Sequence, residues 1–207
     1  MGNRTDWKRG FLMDITLDYY NKNADAFINN TINANVENLY KIFQKYVQAG
    51  ASILDLGCGS GRDSQYFTKH GYTVVAVDGS PQLCEKASRY INQDVVCQPF
   101  SKLAFENQFE GVWACSSILH VPLKELPDIF KKIEQALKKN GYLYASFKYG
   151  KSSGERNGRL FTNFTEESFK TFFKKVEGFK IIEIQVTDDV RKDRPNEKWL
   201  NIILQKT

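Results

Sequence analysis

The chain has 207 residues, 42% of them hydrophobic, and a net charge of +5. This length suits one domain with one core, no apolar run approaches the roughly 18 residues that cross a bilayer, and the polar first ten residues lack the apolar region of a signal peptide. Acidic and basic residues alternate, which does not favour nucleic acid as a partner, and the dispersed cysteines predict neither a metal site nor disulfides. We therefore expect a cytoplasmic protein that has no membrane association.

The first two thirds of the chain predict helices followed by alternating strands and helices. Hydrophobic residues at helical spacing predict two amphipathic helices between Thr16 and Val47. Short apolar runs predict strands at residues 51–56, 73–78, 94–97, 109–115 and 141–147. Helices are predicted between them at residues 62–70, 81–91 and 124–139. This alternation is typical of a parallel, doubly wound sheet.

The pattern changes after residue 148. A glycine-rich, charged loop is predicted at 148–159, followed by a helix at 165–175. Two further strands, 179–186 and 199–205, are joined by a polar connection and predict an antiparallel hairpin at one edge of the sheet. The fold class is therefore α/β, with N-terminal helices and a seven-stranded, mostly parallel sheet that ends in an antiparallel hairpin.

The sharpest local signal is the run from Ile53 to Gly61, in which three glycines at alternate positions directly follow a strand. Such a loop turns tightly and lets a ligand approach the backbone. Its GxGxG spacing differs from the GxGxxG of dinucleotide sites, and Asp55 would repel a phosphate but attract a sulfonium or ammonium group. Asp78, 21 residues beyond Gly57, ends the next strand, where it can accept from both hydroxyls of a ribose. Each feature alone could be structural, as a turn or a helix cap, but together they predict S-adenosylmethionine as the ligand.

The runs Ile53–Gly61 and Val74–Ser80 resemble motifs I and II of the class I S-adenosylmethionine-dependent methyltransferases. The resemblance extends over about residues 16–147. It implies a Rossmann-like fold, S-adenosylmethionine as cofactor and S-adenosylhomocysteine as product. We expect one domain over 1–207, with a helical cap at 1–48, a cofactor-binding core at 49–147, and an acceptor-side loop, helix and hairpin at 148–207.

The resemblance also implies a set of cofactor contacts. The segment around Tyr20 is similar to one that folds over the cofactor carboxylate, although a core aromatic would fit there too, and Val112–Val121 resembles motif IV. The implied contacts are Tyr20, Asp55, Gly57, Cys58, Gly59, Gly61, Asp78, Gly79, Phe100, Cys115 and Ser116. The chain departs from the family after the third strand, where an acidic residue is replaced by the run Cys97–Ser101. Gln98, Ser101 or backbone groups are left to meet the adenine amino group, and Phe100 to stack on the ring.

The candidate catalytic residues follow the fourth and fifth strands. His120 has the pKa range of a general base, although a helix-capping or loop-supporting role fits it as well. Lys148 and Tyr149 lie at the carboxyl edge, where open α/β sheets bind ligands. Arg156 and Arg159 could hold an acidic group or could be solvated charges. No metal ligand is predicted.

Elimination favours a small-molecule methyl acceptor. The segment after the fourth strand lacks the Asn/Asp-Pro-Pro-aromatic run of adenine-N6 enzymes and the paired glutamates of protein-arginine enzymes. A tRNA or other RNA methyltransferase, a non-catalytic S-adenosylmethionine-binding protein and a nicotinamide oxidoreductase remain as alternatives. The acceptor atom and the oligomeric state stay open.

Overall fold

The computed structural model describes residues 15–191 and 194–207. The polar first ten residues, and the first part of the predicted helical cap, lie outside the described residues.

The domain is built on one large sheet. Its strands, with the two strands of a separate small hairpin, are β1 (Ser52–Leu56), β2 (Thr73–Asp78), β3 (Val95–Cys97), β4 (Phe109–Ala114), β5 (Leu137–Lys148), β6 (Gly154–Arg156), β7 (Arg159–Phe161), β8 (Phe179–Asp188) and β9 (Lys198–Lys206). The order in the large sheet is β3-β2-β1-β4-β5-β9-β8. The first five strands are parallel, whereas β9 runs antiparallel to β5 and to β8. The predicted seven-stranded, mostly parallel sheet with a closing antiparallel hairpin is confirmed.

Helices cover both faces of the sheet. They are α1 (residues 15–22 of the described part), α2 (Ala24–Thr31), α3 (Glu37–Gln44), α4 (Arg62–Lys69), α5 (Pro81–Ile91), α6 (Leu126–Ala136) and α7 (Glu166–Phe173). Phe43 of α3 and Phe67 of α4 pack on Trp113 of β4, while Phe130 of α6 and Phe169 of α7 belong to the core on the opposite face. This two-sided burial explains why the central strands read as continuous apolar runs.

Local capping signals fix two helix starts as expected. The Ser80 hydroxyl accepts from the Leu83 N–H, and Pro81 occupies the first turn of α5. Thr165 and Ser168 form a reciprocal capping box at the start of α7.

Two predicted boundaries were wrong. The segment between Thr16 and Val47 holds three helices, because the chain leaves helical geometry at Asn23, whose side chain donates to the Tyr19 carbonyl oxygen. The sixth helix ends at Ala136, and Leu137 already pairs with Phe109 as part of β5.

The predicted loop at 148–159 was also wrong in part, because it contains the first strand of a hairpin. Arg156 pairs with Arg159 across Asn157 and Gly158, whose φ angles are +51° and +73°. Two consecutive positive φ angles are characteristic of a type I′ turn, and Asn-Gly is its preferred sequence. This β6–β7 hairpin projects from the carboxyl edge of the sheet, next to the end of β5.

Candidate active site

The glycine loop crosses from the end of β1 to the end of β2. The Gly57 N–H donates to the Val77 carbonyl oxygen at 2.8 Å. Gly57 has a φ of +83°, and a Cβ there would lie 2.4 Å from the Ser117 Cβ. At Gly59, with a φ of +54°, a Cβ would lie 3.0 Å from the Phe27 ring. The missing side chains therefore leave a cradle between the loop, α2 and the segment after β4.

Asp78 lies at the end of β2 and faces this cradle. Its two carboxylate oxygens accept the N–H groups of Gly59 and Ser80, each at 2.9 Å. Burial raises the pKa of Asp78, and the backbone N–H donors oppose that rise. Each oxygen keeps one lone pair, so the carboxylate can anchor the loop and still accept from a ligand hydroxyl.

Asp55 and Gly61 lie behind the loop rather than in the cradle. Asp55 is 2% exposed and accepts the Ser64 hydroxyl at 2.5 Å. Burial raises the pKa of Asp55 to about 8, and the charge of Asp63 adds to the rise. A Cβ on Gly61 would lie 2.8 Å from Ile91 of α5, so Gly61 serves helix packing. Both contacts favour a loop-supporting role for these two predicted residues.

A buried polar cluster supports the loop from below. Asp63 accepts from the Arg62 guanidinium, from the Tyr40 hydroxyl at 2.5 Å and from the Trp113 indole N–H at 2.8 Å. Burial alone would raise the pKa of Asp63, but these donors lower it below its ordinary value. Sequence reasoning missed this cluster because its members come from three separate segments.

Two cavities meet above the loop. The smaller, of about 80 Å³, lies between α1 and the ends of β2 and β4, and the larger, of about 630 Å³, extends toward the β6–β7 hairpin and β9. The residues that line both are Tyr20, Phe27, Gly57, Gly59, Ser116 and His120. Of the predicted contacts, Asp78, Gly79 and Phe100 line only the smaller cavity, and Cys58 and Cys115 only the larger. In the run after β3, Pro99 and Phe100 are the residues that line the smaller cavity.

The segment after β4 presents three small polar side chains in sequence. Ser116 has a φ of +55°, which is uncommon for a residue other than glycine, and its N–H donates to the Ser146 hydroxyl at 2.8 Å. Burial raises the pKa of the Cys115 thiol to about 12, so it is not a nucleophile at neutral pH. The Ser117 hydroxyl lines the smaller cavity and is buried without a hydrogen-bond partner. Such an orphan is the expected sign of a ligand contact that sequence reasoning missed.

His120 is held between two oxygen atoms. Its Nδ1 lies 2.6 Å from the Leu160 carbonyl oxygen, which can only accept, so Nδ1 carries the proton. The Tyr20 hydroxyl then donates to Nε2 at 2.8 Å. Burial lowers the pKa of His120 to about 4, the Leu160 contact opposes this, and the charge of Arg159 adds to it. His120 is therefore a neutral base whose lone pair is engaged by Tyr20.

Lys148 and Tyr149 differ in how much they are engaged. The Lys148 ammonium lies 3.0 Å from Asp189, contacts Glu197 and lies 4.1 Å from the centre of the Trp199 ring. These contacts anchor the connection between β8 and β9 to the end of β5 and favour a structural role. Tyr149 is 36% exposed and lines the larger cavity, and its hydroxyl donates to Glu166 at 3.4 Å.

The comparisons with known proteins agree with this architecture. Residues 54–145 match a family model described as a methyltransferase domain. This match, the curated relatives and the solved structures support a likeness to the class I S-adenosylmethionine-dependent methyltransferases. The ubiquinone biosynthesis O-methyltransferase of Coxiella burnetii is 31% identical over 111 residues, covering 51% of this chain and 47% of that enzyme. The carboxy-S-adenosyl-L-methionine synthase of Geobacter metallireducens is 26% identical over 161 residues, covering 72% of this chain and 63% of that enzyme.

Solved structures extend the likeness over the whole chain. The 1,6-didemethyltoxoflavin-N1-methyltransferase of Burkholderia thailandensis, with bound 1,6-didemethyltoxoflavin and S-adenosylhomocysteine, has a TM-score of 0.76 and 21% identity, covering 100% of this chain and 92% of that one. At this identity the likeness supports the fold alone. The chain spans less than two thirds of the length of either curated relative.

The described part of the chain has two further properties. Over residues 15–191 and 194–207, no three His, Cys, Asp or Glu side chains are grouped so that they could hold a metal ion. In the same residues, no helix combines the length and the hydropathy needed to cross a bilayer.

Proposed function

We propose that this chain transfers the methyl group of S-adenosylmethionine directly to a small-molecule acceptor. The observation that carries the proposal is the pair of cavities that meet above the glycine loop at the carboxyl edge. One cavity has the groups that suit a nucleoside, and the other has the volume for an acceptor. A cytoplasmic location stays a prediction.

The smaller cavity offers hydrogen-bonding groups and an aromatic side chain that suit an adenosine. Asp78 keeps a free lone pair on each oxygen for the ribose hydroxyls, and the Ser117 hydroxyl is an unpaired buried donor and acceptor. Phe100 lines the same cavity with Leu83, which suits a flat ring. Gly57 and Gly59 leave the backbone open toward the methionine part.

The smaller cavity has a volume of about 80 Å³ and opens into the larger one at their shared lining residues, so a cofactor can extend across both. Leu17 of α1 narrows the smaller cavity beside Gly79, where a Cβ would meet the Leu17 side chain at 2.8 Å.

The protein has to align an acceptor and exclude water, because the sulfonium of S-adenosylmethionine supplies a methyl carbon that already carries a good leaving group. The acceptor atom attacks that carbon as the carbon–sulfur bond breaks and its electron pair returns to sulfur. Tyr20, Ser116 and His120 surround the junction of the two cavities, where we place the attacking atom.

An acceptor hydroxyl or ammonium must also lose its proton. The Nε2 of His120 can accept that proton in a hydrogen bond once the Tyr20 hydroxyl turns away, and Nδ1 stays bonded to the Leu160 carbonyl oxygen. The lowered pKa of about 4 makes His120 a weak base in this role. Tyr149 is positioned at the cavity wall to contact the acceptor. Lys148 acts through Asp189 and Glu197, as a positioning residue for the wall formed by β9.

A small acceptor is supported by the size of the larger cavity. Its 630 Å³ lies within the range of about 300–1,000 Å³ that is usual for small-molecule sites. The named relatives from Coxiella burnetii and Burkholderia thailandensis act in ubiquinone biosynthesis and on 1,6-didemethyltoxoflavin, which are both small-molecule chemistry.

Binding and turnover test the proposal separately. Calorimetric titration with S-adenosylhomocysteine and with NADH should give binding of the first alone, because the GxGxG spacing of the loop differs from that of pyrophosphate-binding loops. Incubation with methyl-labelled cofactor and fractionated metabolite or tRNA pools should then label a small metabolite. Binding of NADH alone would remove the assignment, label in tRNA alone would replace the acceptor class, and binding without label in any pool would indicate a non-catalytic protein.

A further inference from the structure

The β6–β7 hairpin brings two arginines to the wall of the larger cavity. Arg156 and Arg159 are paired across the Asn157-Gly158 turn, and both line the cavity together with His120. The type I′ turn fixes their spacing, because both central residues have positive φ angles. The two guanidinium groups are thus presented by a rigid element.

Aromatic side chains hold both guanidinium groups in place. The Cζ of Arg159 lies 4.3 Å from the centre of the Tyr19 ring and 5.2 Å from that of Phe161. The Cζ of Arg156 lies 4.5 Å from the Phe161 ring centre, and its Nη2 donates to the Asn163 Oδ1 at 2.9 Å. Such stacking orients an arginine without using up its in-plane N–H donors.

These donors have no acidic partner among the described residues. Across the residues that the structure describes, neither Arg156 nor Arg159 lies within ion-pair distance of a carboxylate. The Nε of Arg159 is buried and makes no hydrogen bond. A buried N–H of a charged group without an acceptor is costly, and a bound anion would remove that cost.

The lining of the larger cavity carries a net positive charge, like the two arginines. Its described lining includes seven Lys or Arg side chains and four Asp or Glu side chains. The acidic ones are already engaged with bases, namely Asp63 with Arg62, Asp188 with Lys198, and Asp189 and Glu197 with Lys148. The two hairpin arginines therefore contribute two of the three excess positive charges, and the cavity attracts an anion.

We propose that the methyl acceptor is a small aromatic acid whose carboxylate binds Arg159 and Arg156. The planar fork of a guanidinium matches a carboxylate in two parallel hydrogen bonds. Tyr20, Phe27 and Phe161 line the same cavity and suit an aromatic ring. The proposal rests on the proposed methyl transfer, and it names the acceptor class that this site selects.

Matched ligands test the charge requirement directly. With S-adenosylhomocysteine present, saturation-transfer NMR titrations compare benzoate with benzamide, which has the same ring and no charge. Benzoate should bind at least about tenfold more tightly, in keeping with hydrogen bonds to charged groups. Equal binding of the two would overturn the proposal, and so would displacement of benzoate by micromolar tRNA, which would point to nucleic acid.

Variants locate the anion site. Arg159→Gln and Arg156→Gln should each weaken benzoate binding by roughly tenfold and leave benzamide binding as it was. Lys151→Gln removes the same charge from an exposed position in the same connection, outside the cavity lining, and should leave benzoate binding unchanged. An equal loss in Lys151→Gln would mean that only the overall field attracts benzoate, which refutes a specific site.

Two readouts separate this proposal from the proposed function. Circular dichroism of each variant checks that it folds. Arg159→Lys keeps the positive charge but loses the planar guanidinium, so it should recover only part of the affinity for benzoate. If S-adenosylhomocysteine fails to bind the wild-type protein, the proposed function fails. The comparison of benzoate with benzamide, repeated without cofactor, still decides whether the hairpin binds carboxylates.

Discussion

Replacing Asp78 with asparagine separates the charge of this side chain from its shape. In the wild type, one oxygen accepts from Gly59 and the other from Ser80. Asparagine keeps one acceptor and turns an NH₂ toward the second backbone N–H, which leaves a buried donor unpaired. The cost to the free energy of unfolding should be about 1–3 kcal/mol.

Asp78→Asn should also weaken the binding of S-adenosylhomocysteine. In the wild type, two ribose hydroxyls would donate to a charged carboxylate, and the amide offers them no charge and one acceptor fewer. We expect this change to cost about 2–3 kcal/mol of binding free energy. That corresponds to about a 30- to 150-fold weaker binding of S-adenosylhomocysteine.

Asp55→Asn is the matched control. Burial raises the pKa of Asp55, which disfavours its charged form, and an amide resembles the neutral carboxyl in shape. It accepts from Ser64 and lines neither cavity. We expect a change in affinity of less than about threefold, because no ligand contact and little charge are lost.

Calorimetry with S-adenosylhomocysteine and urea unfolding measure both quantities on the same preparations. A folded Asp78→Asn variant with wild-type affinity would refute the placement of the ribose at Asp78. Equal losses in Asp55→Asn and Asp78→Asn would show that both act through the loop alone.

Three further changes test the site from other directions. Gly57→Ala should cost about 2–4 kcal/mol of unfolding free energy in urea, because it combines a positive φ with a Cβ 2.4 Å from Ser117, and a cost below 1 kcal/mol would contradict the cradle geometry. Tyr20→Phe removes the donor to His120 Nε2 and should cost about 1 kcal/mol, with a shift of the His120 ring signals in NMR as the direct check. The pKa of His120 is lowered to about 4 by burial, so its unfolded form binds a proton between pH 6.5 and 4 while the folded form does not. Its contribution to the free energy of unfolding is therefore present above pH 6.5 and falls by about 3 kcal/mol as the pH drops to 4. Urea titrations at each pH measure this dependence, and His120→Asn should lack it.

Much of the site could be predicted because its signals are local. Gly57, Gly59 and Asp78 belong to short motifs in which the spacing between strand and loop already fixes what faces the ligand. Ser117 was missed in favour of its neighbours, because only the tertiary structure shows that its hydroxyl is buried without a hydrogen-bond partner beside the smaller cavity.

The β6–β7 hairpin was overlooked even though its signal is local. The pair Asn157-Gly158 specifies a two-residue turn, but the flanking runs are only three residues long and carry charge. Long-range contacts position the hairpin, such as the hydrogen bond from the Leu160 N–H to the Thr16 hydroxyl.

The sequence by itself determined the order of strands and helices, the position of the glycine loop and the acid at the end of β2, because each depends on residues close together in the chain. Only the tertiary structure decided which charges remain free and which way His120 holds its proton. Lys148 meets Asp189 and Glu197 more than forty positions away, and His120 meets Tyr20 one hundred positions away. Those partners come together through the closing of the sheet and the burial of its edge, and no local pattern encodes that.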